Sequence, residues 1–475
     1  MNVSLILIIL LIGALATYSV GDKFASKVAL LFGLVSLGAS IVLLNHYNLG
    51  ENIGFITQWI AKPNISFALQ ADGLALAMLL LTTALTPIII FSSFGTEVKN
   101  AKTFYALILF MAFAMAGTFL ATDGLLYYIF WELSLLPIYF IALVWGNGDS
   151  EERKKAVVKF FIYTLAGSLF MLVGFAYLYQ KAGSLLIEDL YKLDLSGVEQ
   201  VWLFVGFFLA YAIKIPIIPF HTWQAETYTK APTAGTMLLS AIMLKMALFG
   251  LLKWVLPIFD GVATDFWRWP IITLGIIGVV YGAVVAIRQQ DLKTLFAYAS
   301  LSHLGLIAAA LMLNNFDTNQ IAVVQIVNHS IVSIGLFLAA GIIEQRLGTR
   351  ELGQLGGIAK VAPRFAFWFA VLTFVSLSVP FTAGFIGEFF LIKALFSANA
   401  FTGFLASTTL VLGAVYMLKA YQAPMFGPTI NATFEDLHWS EIAVFAILSI
   451  AAIYLGLAPQ CLTDFVAHSL PQPTH

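Results

Sequence analysis

The feature that most constrains this chain is its succession of apolar runs, each close to the length of a membrane-crossing helix; LILIILLIGALA near the start is the first. Crossing about 30 Å of hydrocarbon takes about 20 mostly apolar residues, and reading the chain on that criterion gives about fourteen runs. They lie near residues 3–21, 27–45, 74–94, 103–121, 124–146, 157–180, 201–229, 232–256, 270–288, 293–313, 320–345, 365–396, 401–423 and 439–457. The runs do not alternate apolar with polar residues as barrel strands do. The expected fold is therefore an all-α polytopic membrane protein in which each span satisfies its own backbone. Composition agrees, with 60% hydrophobic and only 10% charged residues, against about 25% charged in soluble domains. A soluble enzyme is excluded. The formal charge of −1 and the lack of a long basic run exclude a nucleic-acid partner, and lipid is the expected surrounding.

One cysteine, Cys461, leaves no basis for a disulfide framework, a CxxC metal site or an iron–sulfur cluster. Neither a metal nor a cofactor is expected within the chain. No Lys or Arg precedes the first run, and its apolar core exceeds a signal-peptide h-region, so it is expected to remain as a helix. Basic residues gather in alternate connections: Lys23 and Lys27; Lys99 and Lys102; Arg153, Lys154 and Lys155; Lys230; Arg288 and Lys293; Arg346, Arg350, Lys360 and Arg364. The intervening connections hold only Lys62, Lys181, Lys192 and Arg268. The positive-inside rule puts the first set in the cytoplasm and both termini outside, which needs an even number of spans. The polar connections near 46–72 and 181–200 are too short to bury a core of their own, so one membrane domain is expected.

Two spans are interrupted. The seventh reads FFLAYAIKIPIIPFHTWQAETYTKAP and carries Pro216 and Pro219; the twelfth reads FVSLSVPFTAGFIGEFFLIKALF and carries Pro380, followed by Gly384 and Gly387. Proline removes a backbone donor and loosens the helix at membrane depth. Interruptions at corresponding places in two halves point to inverted repeats around an ion path. The seventh span is fourth in the set four to eight, and the twelfth is fourth in the set nine to thirteen. Five spans per set turn the second set upside down. The expected organisation is N-terminal helices at 1–102, a first repeat at 103–256, an inverted second repeat at 270–423 and a C-terminal helix within 424–475.

An ionisable side chain at mid-bilayer costs about 2.5–3.5 kcal/mol on insertion scales, so each one is paired, hydrated or kept for a function. Glu132 lies in the fifth span, Lys214 beside the break of the seventh, Lys245 midway along the eighth and Glu388 after the break of the twelfth, with His303 in the tenth and His329 in the eleventh. Taken alone, Glu132 and Lys214 read as an ion pair joining two helices. The span of Lys245 holds no acidic residue, and desolvation favours the neutral form of a buried amine, which suits a reversible proton carrier. Movement of Lys214 towards or away from Glu132 would alter the field at Lys245. His329 shares a polar stripe with Asn328, Ser330 and Ser333, and His303 has Ser300 and Ser302 beside it, so both are candidate relays. His221 is expected to cap or hydrogen-bond the break, and Glu388, on the outer side, suits a proton exit. Lys159, Lys253 and Lys393 read as structural or snorkelling residues. The available chemistry is proton or cation movement.

The wording FWELSLLPIYFIALVWG (130–146), KFFIYTLAGSLFML (159–172), KIPIIPFHTWQAETYTKAPTAGTMLLSAIMLKMALFG (214–250), RQQDLKTLFAYASLSHLG (288–305) and PFTAGFIGEFFLIKALF (380–396) resembles the antiporter-like proton-pumping subunits of respiratory complex I. The resemblance runs from about residue 70 to the end. It implies that Glu132 and Lys214 are a coupling pair, Lys245 the central carrier, His329 the link between half-channels and Glu388 the outlet. It also implies a fourteen-helix inverted-repeat fold in a bacterial inner membrane, related antiporter-like membrane subunits alongside, and NADH, FMN, iron–sulfur clusters and quinone in partner subunits. Multisubunit cation/proton antiporters share most of these motifs and form the alternative. Glu388 within GFIGEF favours the first reading, because other pumping chains of the family are expected to carry lysine there. Gln345 and Gly348 depart from the acidic residue and histidine expected in their connection.

Overall fold

The computed structural model describes residues 2–470 apart from 52, 95, 431 and 432. Every apolar run becomes helical. Among the described residues, twelve helices are long and apolar enough to cross a membrane, while Ser4–Ser19 and Pro363–Ser376 are shorter apolar helices. The chain is thus a mostly helical, multi-pass membrane protein. Both interruptions appear: Gly197–Lys214 resumes after residues 215–221 as Thr222–Lys230, and Pro363–Ser376 resumes after residues 377–382 as Ala383–Ala398. Pro216, Pro219 and Pro380 lie in these gaps. Gly384 and Gly387 do not loosen the twelfth span as expected, because they sit in the helix that follows the gap. Gly384 is small for a packing reason, since a Cβ there would lie 2.5 Å from the Val375 carbonyl oxygen. Ser378 and Phe381 adopt φ of 54° and 74° within the second gap, the left-handed region that a continuing helix does not use.

Two elements were not expected. The connection after the second span forms an antiparallel hairpin, Gly54–Ile60 with Ile65–Gln70. The eighth span, Thr233–Ile258, has an 18-residue apolar stretch buried throughout and contains two π-helical segments, Leu239–Met243 and Leu251–Val255, either side of Leu244–Gly250. Such wide turns shift the phase of the residues that follow and recur at functional positions.

The chain falls into two compact units. One comprises Met1–Lys214, Ile242–Trp267 and Phe465–Gln472; the other comprises in the main Ile215–Ala241 and Arg268–Asp464. The backbone changes unit at the gap of the seventh span and again inside the eighth. In the first unit an aromatic cluster forms the core, with Tyr127 and Trp254 ring centroids 4.8 Å apart, Phe175 and Phe207 also 4.8 Å, and Trp131 and Tyr211 5.4 Å. Gly250 admits this cluster, because a Cβ there would lie 2.6 Å from the Tyr127 hydroxyl. In the second unit the ninth and tenth spans touch backbone to backbone: a Cβ on Gly275 would lie 2.7 Å from the Gly305 carbonyl oxygen, and one on Gly282 2.9 Å from the Ser302 nitrogen.

Lys253 does not snorkel. It forms an ion pair with Asp72, while its carbonyl accepts a hydrogen bond from the Tyr191 hydroxyl at 2.6 Å. Asp72 also caps the third span, Gly73–Ser92, by accepting from the Ala75 N–H at 2.9 Å. Asp72→Asn keeps a capping oxygen and loses the pair, whereas Asp72→Ala loses both. The alanine variant is therefore expected to be less stable than the asparagine variant by about 1 kcal/mol, and thermal unfolding of the purified proteins in one detergent measures the difference.

Candidate functional site

The ionisable residues at membrane depth fall into two groups, one in each unit. In the first unit Glu132 is the penultimate residue of the helix Gly124–Leu133, two residues before the local break at Ser134, whose Oγ donates to the Trp131 carbonyl at 2.7 Å. Lys214 is the last residue of its helix and is only 1% exposed. Its Nζ lies 3.8 Å from the Trp131 ring centroid and donates to Ser134 Oγ at 3.5 Å. A cation over an indole face away from water is worth about 2 kcal/mol or more, so Trp131 supplies solvation that a full counter-charge need not. Lys214 and Glu132 also interact electrostatically, and Ser168 hydrogen-bonds the carboxylate. Glu132 Oε1 is buried with no hydrogen-bond partner among the described residues. The sequence pair is therefore brought together, through a ring and two hydroxyls. Lys245 is fully enclosed, in the stretch of eighth span between the two π-helical segments.

The second unit gathers the remaining candidates. His303 Nδ1 forms an ion pair with Glu388. Tyr416 OH lies 3.4 Å from His303 Nε2, Gln325 Nε2 donates to Glu388 Oε1 at 3.5 Å and Asn328 Nδ2 donates to Gln325 Oε1 at 3.3 Å. His329 Nε2 meets Ser300 Oγ at 2.9 Å, and the two imidazole centroids are 6.2 Å apart. Ser300, His303, Gln325, Asn328, His329 and Glu388 line a cavity of about 30 Å³. That is room for one or two waters, and Asn328 Oδ1, buried without a hydrogen-bond partner among the described residues, is a polar atom such a water would satisfy. The row consists of two imidazoles and a carboxyl, which can take up and release a proton, with a hydroxyl and two amides hydrogen-bonding alongside them.

Several details correct or extend the sequence reading. Ser300, not Ser302, partners a histidine; Ser302 donates to the Val279 carbonyl at 2.9 Å. Ser330 turns back to the Ile326 carbonyl, while Ser333 donates to the Ser330 carbonyl and still lines the cavity beside His329. His221 occupies the N-cap position of Thr222–Lys230 but makes no side-chain cap bond, and its ring stands edge-on to Tyr281 at 5.1 Å. Lys419 donates to the Ile287 and Gln289 carbonyls, both at 2.8 Å, and so caps the end of the ninth span. Gln325, Tyr416 and Trp131 were missed, although Trp131 adjoins Glu132 and Gln325 precedes Asn328 by three residues, the spacing of neighbours on a helix face. Lys293 was read as a surface charge and is fully buried.

Comparison with known proteins places this geometry. Residues 121–413 match the family model described as NADH:quinone oxidoreductase/Mrp antiporter, TM. The chain is 35% identical over 455 residues to NADH-quinone oxidoreductase subunit M of Rickettsia prowazekii (strain Madrid E), covering 93% of this chain and 91% of that one. It is 34% identical over 453 residues to NADH-ubiquinone oxidoreductase chain 4 of Metridium senile, covering 94% and 92%. A solved chain of respiratory complex I from Thermus thermophilus superposes with a TM-score of 0.89 at 26% identity, covering 99% of this chain and all of that one.

The packing around Glu388 carries its own test. A Cβ added at Gly387 would collide with Gln325 Oε1. Gly387→Ala is expected to destabilise the protein by about 1–3 kcal/mol through overpacking. Gln325→Ala in the same chain should return part of that loss, because it removes the Oε1 and Cδ collisions and leaves Cβ 2.8 Å away, a coupling that a double-mutant cycle of unfolding midpoints reads directly.

Proposed function

The chain belongs to the transmembrane family shared by NADH:quinone oxidoreductases and Mrp antiporters, and on that footing we propose that it is the proton-translocating membrane subunit, of the subunit M or chain 4 type, of an NADH:quinone oxidoreductase. It works beside other membrane subunits of the same complex, including related antiporter-like ones. Electrons pass from NADH through FMN and iron–sulfur clusters to quinone in partner subunits, and this chain moves protons outward across a bacterial inner membrane with both termini on the outer side. The alternative, a subunit of a multisubunit cation/proton antiporter, is less favoured because the relatives that match over nine-tenths of the chain carry oxidoreductase names.

The observation that carries the reading is the placement of Lys245, a fully enclosed amine in the buried stretch of the eighth span. Keeping an ammonium there costs several kcal/mol, and a group that takes up and releases its proton in turn gives a reason for retaining it. Glu132 and Lys214 form the coupling pair. Lys214 is held by an indole face and a hydroxyl as well as by the attraction of Glu132, and a shift of its position changes the potential felt by nearby groups. Lys245 is the central carrier, His329 receives the proton in the second half of the path and His303 passes it to Glu388, the outlet; His221 has a lesser part beside the first break. The two interrupted spans belong to two inverted five-helix repeats, 103–256 and 270–423, preceded by the helices of 1–102 and followed by that of 424–475.

Lys245→Ala in the assembled complex is expected to lower NADH-driven proton uptake by inverted membrane vesicles about tenfold or more, with quinone reductase activity falling alongside because a blocked proton step stalls a coupled pump. Glu132→Gln should depress both readouts together. Full proton uptake in Lys245→Ala would instead make the chain a scaffold, and retained cation/proton exchange without any response to NADH would favour the antiporter.

A further inference from the structure

Lys293 is a buried cation that the proton path does not use. It lies in the first turn of the tenth span, Leu292–Leu311, and is 0% exposed. Its Nζ donates to the Ala231 carbonyl at 2.6 Å. Ala231 is the C-cap of Thr222–Lys230, the half-helix that follows the first break, and Pro232 begins the next span immediately afterwards. The carbonyl therefore sits at the joint between half-helix and span, at the negative end of the helix dipole, where a cation is favoured. A second contact lies beside the first: Thr229 Oγ1 on the half-helix and Thr294 Oγ1 on the tenth span are 3.1 Å apart.

The charge of Lys293 is balanced within the same unit. Arg350 Nε bonds Asp291 Oδ2 at 2.8 Å and Arg350 Nη1 bonds Glu344 Oε1 at 2.9 Å, and Lys293 interacts electrostatically with all three. Two cations thus face two anions, drawn from the start of the tenth span, the last turns of the eleventh and the connection after it. Asp291 is tied further by accepting from the Thr294 N–H and hydroxyl at 2.8 and 2.9 Å. The cluster is a fixed base, and the only hydrogen bond described from the Lys293 ammonium runs from that base to the joint.

We propose that Lys293 is a positioning residue: its buried ammonium clamps the joint between the post-break half-helix and the eighth span to the charged base of the tenth and eleventh spans. The backbone from this joint leads in one direction through the break to Lys214 and in the other to Lys245, so a loose joint misplaces both. That consequence rests on the function proposed above, whereas the clamp itself is a matter of geometry and is tested separately.

The test uses the assembled complex with Cys461→Ser and the pair Thr229→Cys and Thr294→Cys, whose thiols would replace the two touching hydroxyls. Oxidation is expected to join this pair readily and to leave NADH-driven pumping intact. Adding Lys293→Met should slow cross-linking and reduce pumping, each by about tenfold, the scale of a lost charged hydrogen bond, and oxidising the pair in that background should restore most of the pumping; Lys293→Arg should keep both. Cross-linking at the parent rate in Lys293→Met overturns the clamp. Slowed cross-linking with a pumping defect that oxidation does not repair overturns the positioning role. Slowed cross-linking with normal pumping upholds the clamp and counts against the function assigned to the joined spans. Should Lys293→Met fail to assemble, Lys293→Gln, shorter and uncharged, is read in the same way.

Discussion

A charge that leaves water must be solvated by something else, and in this chain the choice of substitute solvent depends on position. Away from the two breaks, charges meet opposite charges: Asp72 with Lys253, Arg350 with Asp291 and Glu344, and Arg346 with Glu441. Such contacts are expensive to break, because separation leaves an uncompensated buried ion. Lys214 is treated differently. A ring face and a hydroxyl hold it, and the attraction of Glu132 adds to them without being the only anchor. Dipolar partners solvate a cation without a fixed counter-charge, so Lys214 is held differently from the ion-paired residues, a group that also includes His303 and, after the second break, Glu388.

The same economy explains the interruptions. A continuous helix satisfies its own backbone and offers no donor or acceptor at membrane depth. Opening the seventh span at 215–221 and the twelfth at 377–382 exposes helix ends there, and Lys214 stands at one of them as the last residue of Gly197–Lys214; the far end of the half-helix after the first break, at the Ala231 carbonyl, accepts a hydrogen bond from the Lys293 ammonium. Close packing then limits which side chains can surround these openings. Gly250 leaves space for the two tyrosines beside it, and Gly387 leaves space for the Gln325 amide that reaches Glu388. Small residues are required at those points because large polar neighbours occupy the volume.

How much of this was legible depended on whether the signal was local. Apolar runs report spans because hydrocarbon thickness sets their length, and prolines report breaks because the missing donor lies in the residue itself. Glu132, Lys214, Lys245, His303, His329 and Glu388 stood out because charge amid apolar neighbours is a contrast within a few residues. Partners were not legible in this way. Tyr416 is 113 residues from the histidine it meets, and choosing between Ser300 and Ser302 requires the rotational phase of the tenth span against the eleventh. The π-helical segments of the eighth span leave no proline or glycine signature in LSAIM or LLKWV. Lys293 was misplaced because its nearness to a connection suggested exposure, whereas its side chain turns inward to a carbonyl supplied from 62 residues away. The hairpin at 54–70 was hidden by brevity: each strand is six or seven residues, within a connection otherwise rich in polar residues.

The two breaks also explain why one carries a base and the other an acid. Lys214 is the final residue before its gap, at the C-terminal end of Gly197–Lys214, where aligned peptide dipoles and unpaired carbonyls present negative potential. Glu388 follows its gap, in the second turn of Ala383–Ala398, close to the N-terminal end where the potential is positive. Each side chain therefore sits at the helix end whose dipole is opposite in sign to the charge that the side chain can carry. The effect is about 0.3–1 kcal/mol at exposed helix ends and larger in partly buried ones, comparable with the difference that one hydroxyl or one aromatic face makes here. It falls off beyond the first turn, so Glu388 gains less from its helix end than Lys214 does, and the carboxylate has the additional charge of His303 where Lys214 has the face of Trp131. A weaker dipole beside the acid and a direct ion pair, against a stronger dipole beside the base and a neutral ring, are two ways of meeting the same desolvation cost.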